Sequence, residues 1–183
     1  MKEKYTSHSE EETMRIAATL AAELHGGEVV LLEGELGAGK SVFVRGLAHA
    51  LGVTHRMPSP TFVLMRVYGM KQTENREQRT KNRIPTPSHS PSRREEEKRK
   101  CSMSTSHSFA QSLRYFIHVD AYRVNDAQEL DAIGLREWLG REDAIVAIEW
   151  GERVAPTLRD IRIIQVLLSI GRTAEMRSIH IVR

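Results

Sequence analysis

At 183 residues the chain is long enough for one ordinary domain with a sizeable core, and an apolar content of 40% suits a globular protein that also carries unpacked polar sequence. The formal net charge of +3 is unevenly spread: residues 71–114 hold eleven Lys and Arg against five Glu, a local +6 that leaves −3 on the rest. No apolar run approaches the roughly 20 residues needed to span a membrane, no charged-then-apolar leader pattern is expected at the amino terminus, and the single cysteine, Cys101, excludes an intrachain disulfide, so the expected setting is the cytoplasm with no membrane partner.

Ser9-Glu10-Glu11-Glu12 fits a capping box, in which Ser9 accepts from the Glu12 N–H and Glu12 reaches back. Ile16, Ala17, Leu20, Ala21 and Leu24 then repeat at helical spacing, and Gly26-Gly27 ends the segment. The apolar run Val29-Val30-Leu31-Leu32 reads as a strand. It runs straight into Gly34-Glu35-Leu36-Gly37-Ala38-Gly39-Lys40-Ser41, which has the spacing of a phosphate-binding loop, and Val42, Phe43, Leu47, Ala48 and Leu51 predict the helix after it, closed by Gly52.

The chemistry of that loop follows from its backbone. Gly37 and Gly39 can adopt conformations closed to other residues, so successive N–H groups turn inward on an anion. Lys40 then reaches the terminal phosphates, the Ser41 hydroxyl offers a ligand to Mg²⁺, and the helix presents its positive end to the same charge. The expected nucleotide-binding residues are Gly37, Ala38, Gly39, Lys40, Ser41 and Val42.

Pro58-Ser59-Pro60-Thr61-Phe62 is a rigid extended stretch, and Phe62 to Tyr68 is expected to be a strand. For Thr61, a plain connector and a place beside the nucleotide are equally open. From Met70 to about Ser112 prolines, serines and charges dominate and large apolar residues are scarce, a composition that cannot offset the cost of ordering the chain. Residues 71–114 are therefore expected to be a disordered basic insertion within a single domain spanning 1–183. Glu95-Glu96-Glu97 divides its basic run and no aromatic residues interleave to stack on bases, which favours a solvated loop over an RNA contact.

Tyr115 to Asp120 reads as a buried strand ending in a carboxylate, and Ala144 to Ile148 as a second, followed by Glu149. Ligands gather at the carboxyl ends of parallel strands, so both acids are candidates for the site. Asp120 can hold magnesium directly, bind it through water, or orient an attacking water. Between them Glu129 to Leu139 predicts a helix with a break near Gly134, and Ile161 to Ile170 with Ser178 to Val182 predicts a carboxy-terminal hairpin around Gly171-Arg172. His118 reads as a packed or hydrogen-bonded strand residue and stays outside the catalytic set.

With these residues in place the chain resembles the TsaE family, the small P-loop ATPases that support bacterial synthesis of the tRNA base threonylcarbamoyladenosine. The resemblance rests on Ser9 to Thr13, GELGAGKS at 34–41, FVRGLAHALG at 43–52, SPTF at 59–62, HVDAYR at 118–123, ELDAIGLREWL at 129–139 and IEWGER at 148–153. It implies an α/β fold of the P-loop NTPase kind, a mixed β-sheet flanked by helices, with ATP and Mg²⁺ as cofactors. It also implies a weak ATPase working with the two other proteins of the tRNA threonylcarbamoyl-transfer complex, and with tRNA indirectly through them. Lys40, Asp120 and Glu149 would then be the catalytic residues, with Lys40 on the β and γ phosphates, Ser41 and Glu149 as the metal residues, and Asp120 near the γ-phosphate or the attacking water. Thr61 would belong to a nucleotide-sensing loop, while Tyr122, Arg123 and Trp150 would shape the site or the partner surface. The sequence departs from the family pattern in having Ser rather than Thr at 41 and in the segment 71–114. Two other readings stay open from the residues alone: a P-loop kinase acting on a small acceptor, and an RNA-binding module built on the basic insertion.

Overall fold

The computed structural model describes residues 1–58, 60, 63–71, 113–124, 127–155, 158 and 160–183. The expected disorder of the basic insertion falls almost wholly outside them, as does Thr61. Seven strands form one mixed sheet in the order β1-β7-β6-β2-β5-β4-β3: β1 Lys2–Ser7, β2 Val29–Glu33, β3 Met65–Gly69, β4 Tyr115–Asp120, β5 Ala144–Glu149, β6 Ile163–Ile170 and β7 Arg177–Val182. β4, β5, β2 and β6 pair in parallel at the centre, while β3, on one side, and β7 and β1, on the other, add antiparallel pairings. Central strands buried on both faces need continuous apolar sequence, and β2 and β5 supply it.

Alternate residues of these strands serve two different cores. Val30, Leu32, Phe116, Ile145 and Ala147 pack under α1 (Glu10–Ala21) and α2 (Lys40–Ala50), together with Leu20, Phe43 and Leu47. Val29, Leu31, Ile117, Val119, Val146 and Ile148 face the other side, where α3 (Ala127–Ala132) and the following 3-10 turn supply Leu130 and Leu135. His118, Asp120 and Glu149 keep the parity of Phe116 and Ala147, so they lie on the α1 and α2 face.

α1 starts as expected, with the Glu12 N–H donating to Ser9 Oγ at 3.1 Å, although the Glu12 carboxylate accepts from His8 N, at 2.6 Å, rather than from Ser9 itself. The strand expected from Phe62 begins only at Met65, because the N–H groups of Val63 and Leu64 both turn back to Pro60 O, at 2.8 and 2.7 Å. The segment from Glu129 breaks at Gly134 into a short helix and the 3-10 turn Leu135–Glu137. β1 is an element the sequence reading did not anticipate: its exposed, charged residues pair with β7 at the sheet edge, where alternation of buried and exposed positions is muted. Among the described residues no helix is long and apolar enough to cross a membrane.

α2 carries the loop, and its position depends on how closely it lies against α1. A Cβ added at Gly46 would come within 2.6 Å of Met14 Cα and 2.9 Å of Met14 O, backbone atoms that no rotamer change can move. Alanine gains about 1 kcal/mol over glycine in a free helix, yet Gly46→Ala is expected to destabilise the fold by about 1–3 kcal/mol through overpacking. Urea denaturation checks this, and a stabilised variant would mean that the helices separate at little cost.

Candidate functional site

β2 ends at Glu33 and the chain turns through Gly34 to Gly39 before α2 begins at Lys40. Gly34, at φ +140, passes so close to β6 that a Cβ would lie 2.1 Å from Leu168 O, and Gly39 caps the helix at φ +97. A side chain at the first position would collide, and one at the second would force a left-handed conformation disfavoured for L-residues. The loop therefore exposes the amino-terminal N–H groups of α2, a ready site for an anion.

Lys40 lies folded into this loop and is 5% exposed. Its ammonium donates to Gly34 O at 2.6 Å and Glu35 O at 2.9 Å, and it sits 3.6 Å from the centre of the Trp150 ring. Burial lowers its pKa from the usual lysine value, while Glu149, Glu152, Asp120 and Glu35 pull the other way. Trp150 reaches this position because the chain leaves β5 with Trp150 at φ +62, and its ring leans on Tyr122, 5.0 Å between centroids.

At the second residue of α2, Ser41 Oγ donates to Glu149 Oε2 at 2.8 Å. The other oxygen of that carboxylate, Oε1, is 2.8 Å from His118 Nε2. Glu149 stands opposite Asp120 in the β4–β5 register, and Asp120 Oδ1 accepts the Tyr122 N–H at 3.0 Å. A lysine, a hydroxyl and two carboxylates thus converge at the amino terminus of α2.

They line one cavity of about 910 Å³, bounded by Gly37, Gly39, Lys40, Ser41, Val42, Asp120, Tyr122, Glu149 and Trp150. Ala38 is the exception among the expected loop residues: its side chain is fully buried in the core beneath α2, so it can offer only its backbone to the cavity. Arg123 does not border the cavity, and Thr61 lies outside the described residues.

The family described as "Threonylcarbamoyl adenosine biosynthesis protein TsaE" matches residues 7–77 and 96–179 of this sequence. The chain belongs to the TsaE family. TsaE from Mycobacterium tuberculosis is 32% identical over 174 residues, covering 90% of this chain and 80% of the relative. TsaE from Nostoc is 32% identical over 164 residues, covering 88% and 74%. A crystal structure of YdiB from Bacillus subtilis shares the fold, with a TM-score of 0.60 and 23% identity over 99% of this chain and 84% of that one. TsaE membership and a P-loop-like fold both point to nucleotide binding.

The far wall of the cavity in this TsaE chain comes from residues that the sequence did not place in the site. His8, Ser9, Glu10 and Thr13 contribute from the junction of β1 and α1, and Ala174, Glu175 and Arg177 from the turn into β7. The capping box at Ser9 marked a helix terminus, but no local signal joined it to the loop. Arg177 lies across Gly39, its Nε 3.7 Å from where a Cβ would stand, and its Nη1 donates to Ala174 O at 2.6 Å and Met176 O at 2.9 Å. Only the strand order places β7 on the opposite flank of β2 from β5. The TsaE loop is consequently flanked by Asp120 and Glu149 from one side and by the Arg177 guanidinium from the other, where Glu10 and Glu175 also border the cavity.

Proposed function

We propose that this chain binds ATP with Mg²⁺ and hydrolyses it slowly, supporting threonylcarbamoyladenosine modification of tRNA alongside the proteins that carry out threonylcarbamoyl transfer. The observation that carries the reading is the 2.8 Å hydrogen bond from Ser41 to Glu149 beside the Lys40 ammonium, which sets a hydroxyl, a carboxylate and a cation around one helix terminus. The tRNA role is supported by family membership and by the relatives named for this biosynthesis.

The donor set fits magnesium. Ser41 and Glu149 are hard oxygen donors, and among the described residues no three His, Cys, Asp or Glu side chains cluster into a self-sufficient metal cage. Mg²⁺ favours such a partial site, taking one or two protein oxygens and completing its shell with phosphate and water. Bound there, it would neutralise phosphate charge.

The chain's own residues divide the remaining work. The backbone N–H groups from Gly37 to Val42 cradle phosphate oxygens, and Lys40 exchanges its carbonyl partners for the terminal phosphates. Asp120, tethered by the Tyr122 N–H, orients water at the γ-phosphate. The wall formed by Ser9 to Thr13 and by Ala174 to Arg177 receives the nucleoside. Slow intrinsic turnover follows if a partner must supply order or a further charge at the open side.

The test is to measure ATP hydrolysis by the chain alone and with the threonylcarbamoyl-transfer proteins. Turnover that rises with those proteins supports the proposal. Equal rates in both, with phosphate passed to a small metabolite, would replace it with a kinase.

A further inference from the structure

His118 reads in the sequence as a packed or hydrogen-bonded strand residue, and the fold delivers it to Glu149. It lies on β4 opposite Ala147, two residues before the Asp120–Glu149 pair, so its ring meets Glu149 on the diagonal between neighbouring strands. Alanine at 147 leaves room for the imidazole to cross. The side chains of His118 and Glu149 are only 3% and 5% exposed, and Nε2 and Oε1 are 2.8 Å apart.

The two hydrogen bonds on Glu149 have different partners and opposite sides. Ser41 Oγ holds Oε2 from the loop helix, and His118 Nε2 holds Oε1 from the sheet. A carboxylate only accepts, so Nε2 carries the proton, and Nδ1 has no hydrogen-bond partner among the described residues. A carboxylate held at one oxygen can still rotate about its terminal bond. Held at both, it presents a fixed plane to whatever Ser41 also faces.

We infer that His118 is a positioning residue for the Glu149 carboxylate, and that it tunes the divalent-cation affinity of the nucleotide site. This rests on the ATP and magnesium reading proposed above and adds a residue that acts through Glu149 rather than on the nucleotide. An outer-shell partner of a metal-binding carboxylate typically changes metal affinity by about ten- to a hundredfold when removed. His118 does not itself line the cavity and reaches it only through Glu149, so phosphate binding in the absence of metal should not depend on it.

The experiment compares wild type, His118→Ala and His118→Gln by calorimetric titration with ADP, first in EDTA and then across a series of Mg²⁺ concentrations, with thermal melts of each protein. The expected result for His118→Ala is an ADP affinity in EDTA within about twofold of wild type, and a midpoint for the Mg²⁺-dependent gain displaced upward by about ten- to a hundredfold. His118→Gln, whose amide can still donate to Oε1, should recover most of that displacement. Should His118→Ala prove too unstable to purify, His118→Gln against His118→Leu makes the same comparison of a donor with a non-donor. A lower melting temperature with an unmoved Mg²⁺ midpoint would overturn the inference and leave His118 a packing residue. Failure of the wild-type chain to bind ADP, or binding indifferent to Mg²⁺, would instead overturn the underlying nucleotide reading.

Discussion

Alanine at Lys40 is expected to reduce ATP turnover by about 10²–10³-fold, the usual effect of removing one preorganised charge from a site where negative charge is redistributed. The ammonium lies within the loop, held by Gly34 O, Glu35 O and the Trp150 ring, where the proposed function would have it contact the terminal phosphates. Removing the side chain also strips two carbonyls of a donor, for which about 1–3 kcal/mol of stability is expected to be lost where water does not replace it. A radiolabelled-phosphate release assay and a thermal melt on the same preparation separate the two consequences. Turnover at the wild-type rate would remove Lys40 from the phosphate site.

Substitution at Glu149 should have the other large effect, and here two variants are informative. Glu149→Gln keeps the shape and one carbonyl oxygen while deleting the charge, so hydrolysis is expected to fall by about 10²–10³-fold with the fold intact. Glu149→Ala deletes both acceptors at once. Ser41 Oγ and the nearly fully buried His118 Nε2 would then lack their partner, at about 1–3 kcal/mol for each group left unsatisfied. A clear drop in melting temperature for Ala but not for Gln, with turnover lost in both, is the expected pattern. Nucleotide binding without metal should persist in Glu149→Gln, because the loop N–H groups and Lys40 are untouched. Unchanged turnover in both variants would sink the assignment.

The central strands and the loop were legible because their causes are local. Val29 to Leu32 and Ala144 to Ile148 are apolar on both faces, which suits only strands buried in the middle of a sheet. Ser9 and Glu12 identify a helix start by the hydrogen bonds they can form, and one of those bonds is present as expected. β1 was not legible, since Lys2 to Ser7 has little apolar patterning and owes its strand form to the free edge of β7. The late start of β3 was equally hidden, because it depends on which N–H groups Pro60 O accepts.

For the site, the eight residues from Gly34 to Ser41 carry their own chemistry: spacing, glycine freedom and a lysine beside a hydroxyl are properties of contiguous sequence. The strand-end positions of Asp120 and Glu149 could be read in the same way. What the chain's order could not supply was adjacency. Ser41 and Glu149 are 108 residues apart, and they meet because β5 is the neighbour of β2 in the sheet. His118 meets Glu149 only through the β4–β5 register, since a slip of one residue would send its ring to the opposite face. Arg177 and the Ser9 corner reach the cavity by the same dependence on strand order. Local chemistry thus determined that a loop with phosphate-binding spacing stands between β2 and α2, whereas the pairing of distant strands, driven by burial of both sheet faces, decided which side chains surround it.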